Sequence, residues 1–419
     1  MGEIWIDGAV PLSGEVRIQG SKNAALPMMA AALLHEGVTV LHGCPQIADV
    51  RMMERILNIL GVETCWKEHS LILDCRRVTG VEIMDDCASC MRSSIILLGS
   101  MLARKGKMKI TYPGGCAIGK RPVDLHLMAM EKMGARIEEK EGFLLVEHSG
   151  RLEGKNIEFP FPSVGATENT LLAAVLARGT TRLINCAREP EITHLCHFLQ
   201  AMGAEIGGIG TGELWVRGVS TLRDVEYQVP PDRIVAGTFL YGAAATRGKI
   251  ILDNAPVEEM EAVLEVYEKM GGQWEYKSGK LLADGRKVHC SPGKVETSCY
   301  PGFPTDMQSV LLAVLLTIPE ESCVWEKIFE DRFKVVSQFR SMGGDVVVEG
   351  RKARIRGGNP LRGTVVEAGE LRGGAALVVA GLAARGITVV RNSHFIERGY
   401  ENLEQMIAKL GGKIRFAEK

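Results

Sequence analysis

The sequence predicts an α/β protein of six repeats of about 70 residues, grouped as two three-repeat domains with helices inside and sheets outside. Three observations carry this reading. A glycine that follows Met or Leu at a helix end recurs at Gly61, Gly134, Gly203, Gly271, Gly343 and Gly411, at successive spacings of 73, 69, 68, 72 and 68. Every repeat also holds one segment that is apolar nearly all round. Between the third and fourth repeats, Pro230-Pro231 in "YQVPPDRI" stiffens a junction.

Within a repeat the apolar segment comes first. The six are "KNAALPMMAAALL", "RSSIILLGSMLAR", "TENTLLAAVLAR", "GTFLYGAAATR", "TDMQSVLLAVLLT" and "LRGGAALVVAGLAAR". A helix without a polar face has to be buried, so these six form the interior. A glycine phrase then leads into a strand, at Gly37, Gly106, Gly179, Gly248 and Gly386; the fifth repeat keeps the place as "TIPEESCVW" without the glycine. Next comes an amphipathic helix, as in Asp49 to Leu60, where Met53, Ile56, Leu57 and Leu60 share one face. The glycine after Met or Leu ends that helix in the left-handed conformation, and alternating stretches such as "DVVVE" follow as strands.

Composition excludes several function classes. The 419 residues include 50 Lys+Arg and 51 Asp+Glu, a net charge of −1, which leaves no electrostatic footprint for nucleic acid or an anionic membrane. Any bound anion must be gripped locally. The strongly apolar runs, such as Ala24 to Leu34 and Ala375 to Ala384, fall short of the roughly 20 residues that span a bilayer. The acidic start "MGEIWIDGAV" lacks the cations of a signal peptide, so the expected location is the cytoplasm. Eleven scattered cysteines fit reduced thiols better than a disulfide framework.

Most of the apolar helices are expected to open on polar residues: Lys22-Asn23, Arg92, Thr167-Glu168, Asp306 and Arg372. Helix N-termini carry partial positive charge and unpaired N–H groups, so several starting toward one space make an anion site. Lys22, Arg92 and Arg372 oppose the helix dipole and therefore need a reason to be there; phosphate supplies one. The segment "YPGGCAIGKRP" sets Cys116 two glycines downstream of Pro113 and four residues before Lys120 and Arg121. Neighbouring cations lower a thiol's pKa, which suits a reactive sulfur, whereas a lone cysteine also serves as a small buried hydrophobe.

The segments "GSKNAALPMMAAALL", "MRSSI", "YPGGCAIGKRPVDLHL", "FPSVGATENTLLAAVLA", "AREPEI", "DRIVAGTF", "YPGFPTDMQS", "LRGGAALVVAGL" and "ERGYENLEQMIAKLGG" together resemble the UDP-N-acetylglucosamine 1-carboxyvinyltransferase family. The resemblance runs from Gly14 to the C-terminus. It implies an inside-out α/β barrel of two domains, residues 21–229 carrying the cysteine loop and residues 1–20 with 230–419 forming the other, with the active site in the cleft between them. It implies transfer of the enolpyruvyl group of phosphoenolpyruvate to the 3-hydroxyl of UDP-N-acetylglucosamine with release of phosphate, without metal or organic cofactor. Cys116 is then the acid for C3 of phosphoenolpyruvate, open to adducts with phosphoenolpyruvate or the epoxide fosfomycin. Asp306 is the base or the positioning group for the sugar hydroxyl. Lys22, Asn23, Arg121, Arg372 and Arg398 are implied on phosphoenolpyruvate, with Lys22 and Arg398 also catalytic. Asn23, Arg92, Arg121, Pro122, Val123, Asp124, Leu125, Ser163, Val164, Gly165, Asp306 and Ile328 are implied on the sugar nucleotide.

The chain departs from the family pattern at Val235, where Glu is common in "DRIEAGT", at Glu370, where Asp precedes "LR", and at Lys334-Val335, where Met-His follows "DRF". Two readings of other classes compete. Cys87-Ala-Ser-Cys90 and His194-Leu-Cys-His197 suggest redox or metal chemistry, but a single C-x-x-C without a second pair is a weak signal. A repeat scaffold on DNA conflicts with the balanced charge. Within the fold, the alternatives are a silent sugar-nucleotide binder and the transferase acting on shikimate 3-phosphate, which lacks the cysteine loop.

Overall fold

The structure, a computed structural model, describes residues 2–84, 91–112 and 123–417. The chain divides into two compact units, with boundaries between Gln19 and Gly20 and between Pro230 and Pro231. Each unit has its own hydrophobic core.

The six apolar segments are helical and occupy those cores. In the unit that begins at Gly20 they are Lys22–Ala32, the 3-10 turn Arg92–Ile96 running into Leu97–Lys105, and Val164–Ala174. In the other unit they are Arg233–Thr246, the turn Thr305–Met307 running into Gln308–Leu315, and Leu371–Ala383. Every residue of Gln308–Leu315 is buried. Its five Val and Leu side chains contribute on the order of 2 kcal/mol each by leaving water. Close packing of such helices needs small residues: a Cβ on Gly99 would lie 2.2 Å from the backbone oxygen of Asn169, across the contact between Leu97–Lys105 and Val164–Ala174.

Among the described residues the strands form six four-stranded sheets, three to a unit, with one topology throughout. In the third repeat Asn156–Glu158 runs parallel to Thr180–Ile184, which pairs antiparallel with Glu213–Arg217, itself antiparallel to Glu205–Gly207. Parallel neighbours require a crossover, and the buried helix supplies it. The strands alternate buried and exposed residues, so each sheet turns one face to the helices and the other to water. Closure of each unit depends on strands distant in sequence. Val225–Gln228 lies parallel to Val38–His42 and completes the first repeat's sheet. In the other unit Ser13–Arg17 lies parallel to Lys249–Asp253, and Glu3–Asp7 sits antiparallel between Ile387–Arg391 and Lys413–Ala417.

The glycine repeat has the expected conformation: all six glycines after Met or Leu have positive φ, from 77° at Gly411 to 107° at Gly203. One expected helix start is corrected. Thr167-Glu168 do not open a helix; the helix begins at Val164, with Ser163 as the cap accepting from the Ala166 amide at 3.3 Å. Thr167 lies one turn in, donating to the Ser163 carbonyl and accepting from the Ala187 amide. Ser163 still has extended backbone, the conformation from which a side-chain oxygen reaches the free amides of the first turn.

Candidate active site

Two groups of predicted residues are built up, one in each unit. In the unit that begins at Gly20, Lys22 is the first residue of its helix, after the capping Ser21. Its Nζ lies 3.2 Å from Asp49 Oδ2, and both side chains are nearly buried, at 14 % and 6 % exposure. Asp49 stands in the first turn of the amphipathic helix Ala48–Ile59, so a carboxylate offsets the cation that opposes the dipole. Asn23 follows on the same turn, and this helix packs against the turn Arg92–Ile96.

Arg92 leads to a residue that sequence reasoning missed. His126, in the helix Asp124–Lys132, is buried, and burial with the nearby Arg92 charge lowers its pKa to about 4. Its tautomer follows from Asn169. The Asn169 Oδ1 accepts from the Gly99 amide at 2.6 Å, so its Nδ2 donates to the Ile95 carbonyl and to His126 Nδ1, both at 3.0 Å. Nδ1 is therefore the acceptor and Nε2 carries the proton. The imidazole edge faces Gly165, where a Cβ would come within 3.0 Å of Cε1 and 3.2 Å of Nε2. Arg92, Gly165 in the first turn after Ser163 and Val164, and the helix Asp124–Lys132 that begins after Val123 thus meet at one neutral histidine. The signal available in the sequence was "PVDLHL", in which His126 has the spacing of a helix's inner face.

His126 carries a pH prediction. Its folded pKa is below the ordinary 6.5, so the unfolded chain binds more protons between pH 6.5 and 4, and stability is lost as pH falls through that window. Between pH 7 and pH 5 the expected loss from this residue is about 2 kcal/mol. Urea unfolding at the two pH values should show that drop in the wild type and not in His126→Gln. Equal pH dependence in both proteins would refute it.

In the other unit Asp306 is the centre. It lies in the turn Thr305–Met307, where its Oδ1 accepts from Arg332 Nη2 at 2.8 Å. Its Oδ2 accepts from Arg372 Nη2 at 2.9 Å and Nε at 3.2 Å. The two guanidinium side chains are 2 % and 4 % exposed, against 27 % for Asp306. Burial pulls the Arg372 pKa down, but Asp306, Tyr400 and Asp232 outweigh it, so the group is held more firmly charged than usual. Arg372 Nη1 also reaches the Tyr400 hydroxyl at 3.5 Å, which bonds Thr238 at 2.9 Å. As at Lys22, a carboxylate on a neighbouring turn offsets a cation at a helix start.

Arg398 ends the short helix His394–Glu397 and is half-buried. The segment after it is clamped by Gln19, whose side-chain amide donates to the Gly399 carbonyl and accepts from the Glu401 amide. Ile328 is held through Glu326, a buried carboxylate that accepts its amide at 2.8 Å. Gln19, Arg332 and Glu326 had no distinguishing sequence signal. Cys116, Arg121 and Pro122 lie outside the described residues, as do Cys87 and Cys90 of the C-x-x-C. Among the described residues no group of three His, Cys, Asp or Glu side chains is placed to hold a metal. At "HLCH" the middle thiol argues against ligation, since burial pushes Cys196 up to about 12. Among them, too, no helix is long and apolar enough to cross a membrane.

Comparison with known proteins decides the family. The chain is 45 % identical over 419 residues, 99 % of each chain, to UDP-N-acetylglucosamine 1-carboxyvinyltransferase 2 of Caldanaerobacter subterraneus subsp. tengcongensis. The chain belongs to the UDP-N-acetylglucosamine 1-carboxyvinyltransferase family. UDP-N-acetylglucosamine 1-carboxyvinyltransferase 1 of Symbiobacterium thermophilum is 44 % identical over 98 % of this chain and 94 % of its own. Residues 6–407 match the broader family described as EPSP synthase (3-phosphoshikimate 1-carboxyvinyltransferase). Among solved structures, the enolpyruvyl transferase NikO from Streptomyces tendae superposes with a TM-score of 0.90 at 23 % identity over 99 % of this chain and 98 % of that one. EPSP synthase from Acinetobacter baumannii gives 0.74 at 18 % over 100 % of both. The α/β enolpyruvyl transferase fold expected from the sequence is therefore the fold of this chain.

The departures from the family pattern find local partners. Glu370 caps the helix Leu371–Ala383, accepting from the Arg372 amide at 2.8 Å and from the Gly373 amide. Val235 is wholly buried, and its amide donates to the capping Asp232 at 3.0 Å. Lys334 makes an exposed ion pair with Asp331 at 3.6 Å, a contact worth little.

Proposed function

We propose that the chain transfers the enolpyruvyl group of phosphoenolpyruvate to the 3-hydroxyl of UDP-N-acetylglucosamine and releases phosphate, the first committed step of peptidoglycan synthesis. The observation that carries this reading is the full-length similarity to enzymes of that name, with the "YPGGCAIGKRP" segment present in the sequence. In the addition step the sugar hydroxyl oxygen attacks C2 of phosphoenolpyruvate while Cys116 delivers a proton to C3. Asp306 takes or holds the hydroxyl proton. In the elimination step the Cys116 thiolate takes a C3 proton back, the double bond re-forms, and phosphate departs with the electrons of its C–O bond and the proton that came from the hydroxyl. Lys22, Arg121 and Arg398 stabilise the charge on phosphate and carboxylate, and no metal or organic cofactor is needed. Asn23 and Arg372 assist on the phosphoenolpyruvate side. Arg92, Pro122, Val123, Asp124, Leu125, Ser163, Val164, Gly165 and Ile328 hold the sugar nucleotide. The reading places the protein in the cytoplasm, acting on two small molecules and on no nucleic acid or membrane, with its product feeding cell-wall growth and hence cell shape and division.

Phosphate release from phosphoenolpyruvate should require UDP-N-acetylglucosamine and should yield a UDP-sugar heavier by one enolpyruvyl group. Turnover with shikimate 3-phosphate in place of the nucleotide sugar would assign the chain to the other branch of the broader family. Binding of the nucleotide sugar without phosphate release would make it a silent copy.

A further inference from the structure

Glu326 follows the strand Glu321–Trp325 and is 0 % exposed. Its Oε1 accepts from the amides of Ile328 at 2.8 Å and Phe329 at 3.0 Å, and its Oε2 accepts from the Thr305 hydroxyl at 2.9 Å. A buried carboxylate is tolerated only when donors meet its lone pairs, and three meet them here. Stability alone would be served as well by an apolar side chain of the same shape. What the carboxylate adds is a connection. Oε1 acts as a cap that turns the chain after the strand and presents Ile328, while Oε2 holds Thr305, the residue before Asp306. The turn is held from its other side as well, by the Lys327 amide donating to Thr297 Oγ1 at 2.9 Å. Six residues after Glu326, Arg332 returns to Asp306 Oδ1 at 2.8 Å. One segment, residues 326–332, therefore grips the Asp306 turn at both its ends.

We propose that Glu326 is a positioning residue for the acceptor sugar, fixing Ile328 and Asp306 relative to each other through its two carboxylate oxygens. This rests on the proposed function, in which both residues meet the sugar nucleotide. Glu326 touches no substrate. It acts through Thr305 and the Ile328 amide, so its loss should loosen the acceptor and leave phosphoenolpyruvate binding alone.

The test compares the full-length wild type with Thr305→Val, Glu326→Ala and Glu326→Gln, measuring kcat, both KM values and the thermal midpoint. Thr305→Val, which removes one of the three donors to Glu326 and is assayed below its own thermal midpoint, should lower kcat by about tenfold and raise KM for UDP-N-acetylglucosamine with KM for phosphoenolpyruvate unchanged, as expected for sub-ångström misplacement. Glu326→Gln should recover most of what Glu326→Ala loses, because an amide oxygen still accepts the two backbone amides and its NH₂ can donate to Thr305. An active wild type with Thr305→Val kinetics unchanged, or with both KM values raised alike, would overturn this inference alone. A wild type that releases no phosphate would overturn the proposed function with it.

Discussion

Cys116→Ser should lose at least about 100-fold in kcat at neutral pH, the range expected when a general acid is removed from a proton transfer. A hydroxyl is a far weaker acid than a thiol, so it cannot protonate C3 of phosphoenolpyruvate at a useful rate. Cys116→Asp keeps an acid in place and should retain activity. Fosfomycin, an epoxide that resembles phosphoenolpyruvate, should add its mass to a peptide containing Cys116 in the wild type, with loss of turnover, and spare both variants. The other thiols sharpen the experiment. Burial pushes Cys75 and Cys196 up to about 12 and Cys186 up to about 11, so these three should stay unlabelled near neutrality. One competitor among the described thiols is Cys290, half-buried with its sulfur 3.3 Å from His289 Nε2. Peptide mass spectrometry separates the two. Labelling of Cys290, Cys87 or Cys90 with Cys116 untouched, or full activity in the serine variant, would make Cys116 a bystander.

Much of the architecture was legible because it repeats. A left-handed glycine at a helix end and an apolar helix with no polar side are both local signals, and six copies at one spacing leave little freedom for another fold. Strand exchange was not legible in the same way. That Val225–Gln228 completes the sheet of Val38–His42 depends on pairing across almost a whole unit, which no periodicity reports. For the site, cations at helix starts marked Lys22 and Arg372 because such placement opposes the dipole. Of the residues that make those placements tenable, Asp49 for Lys22 was visible only as one more acid among 51, and Asp306 was marked as a helix start and a site residue but not as the partner of Arg372. Polar groups acting through others, such as the buried Asn169 and Glu326 and the half-buried Gln19, carry no pattern at all. Their partners lie 70 residues away for Asn169 and 380 for Gln19.

Asp306→Asn should separate the two roles open to this carboxylate. The exchange keeps the shape and removes the charge, leaving the buried guanidiniums of Arg332 and Arg372 facing a neutral amide. Removing one partner of a buried ion pair costs about 3 kcal/mol, equivalent to a fall of roughly 6–10 °C in thermal midpoint for a unit of this size. Activity at 25 °C, measured where the variant is folded, should fall by at least about 100-fold. The pH profile then assigns the role. A carboxylate that removes the hydroxyl proton imposes an acid limb on kcat, which vanishes in the asparagine variant; one that orients the hydroxyl leaves the limb in place. The geometry favours orientation. Oδ2 already receives two bonds from Arg372, and Oδ1 receives a charge-assisted bond from Arg332. Protonating the carboxyl would remove the charge that strengthens its bonds to Arg332 and Arg372, which suits a clamp better than a base. The expected result is therefore a large loss of kcat with the acid limb retained. An unchanged thermal midpoint together with wild-type kcat would remove Asp306 from the chemistry altogether.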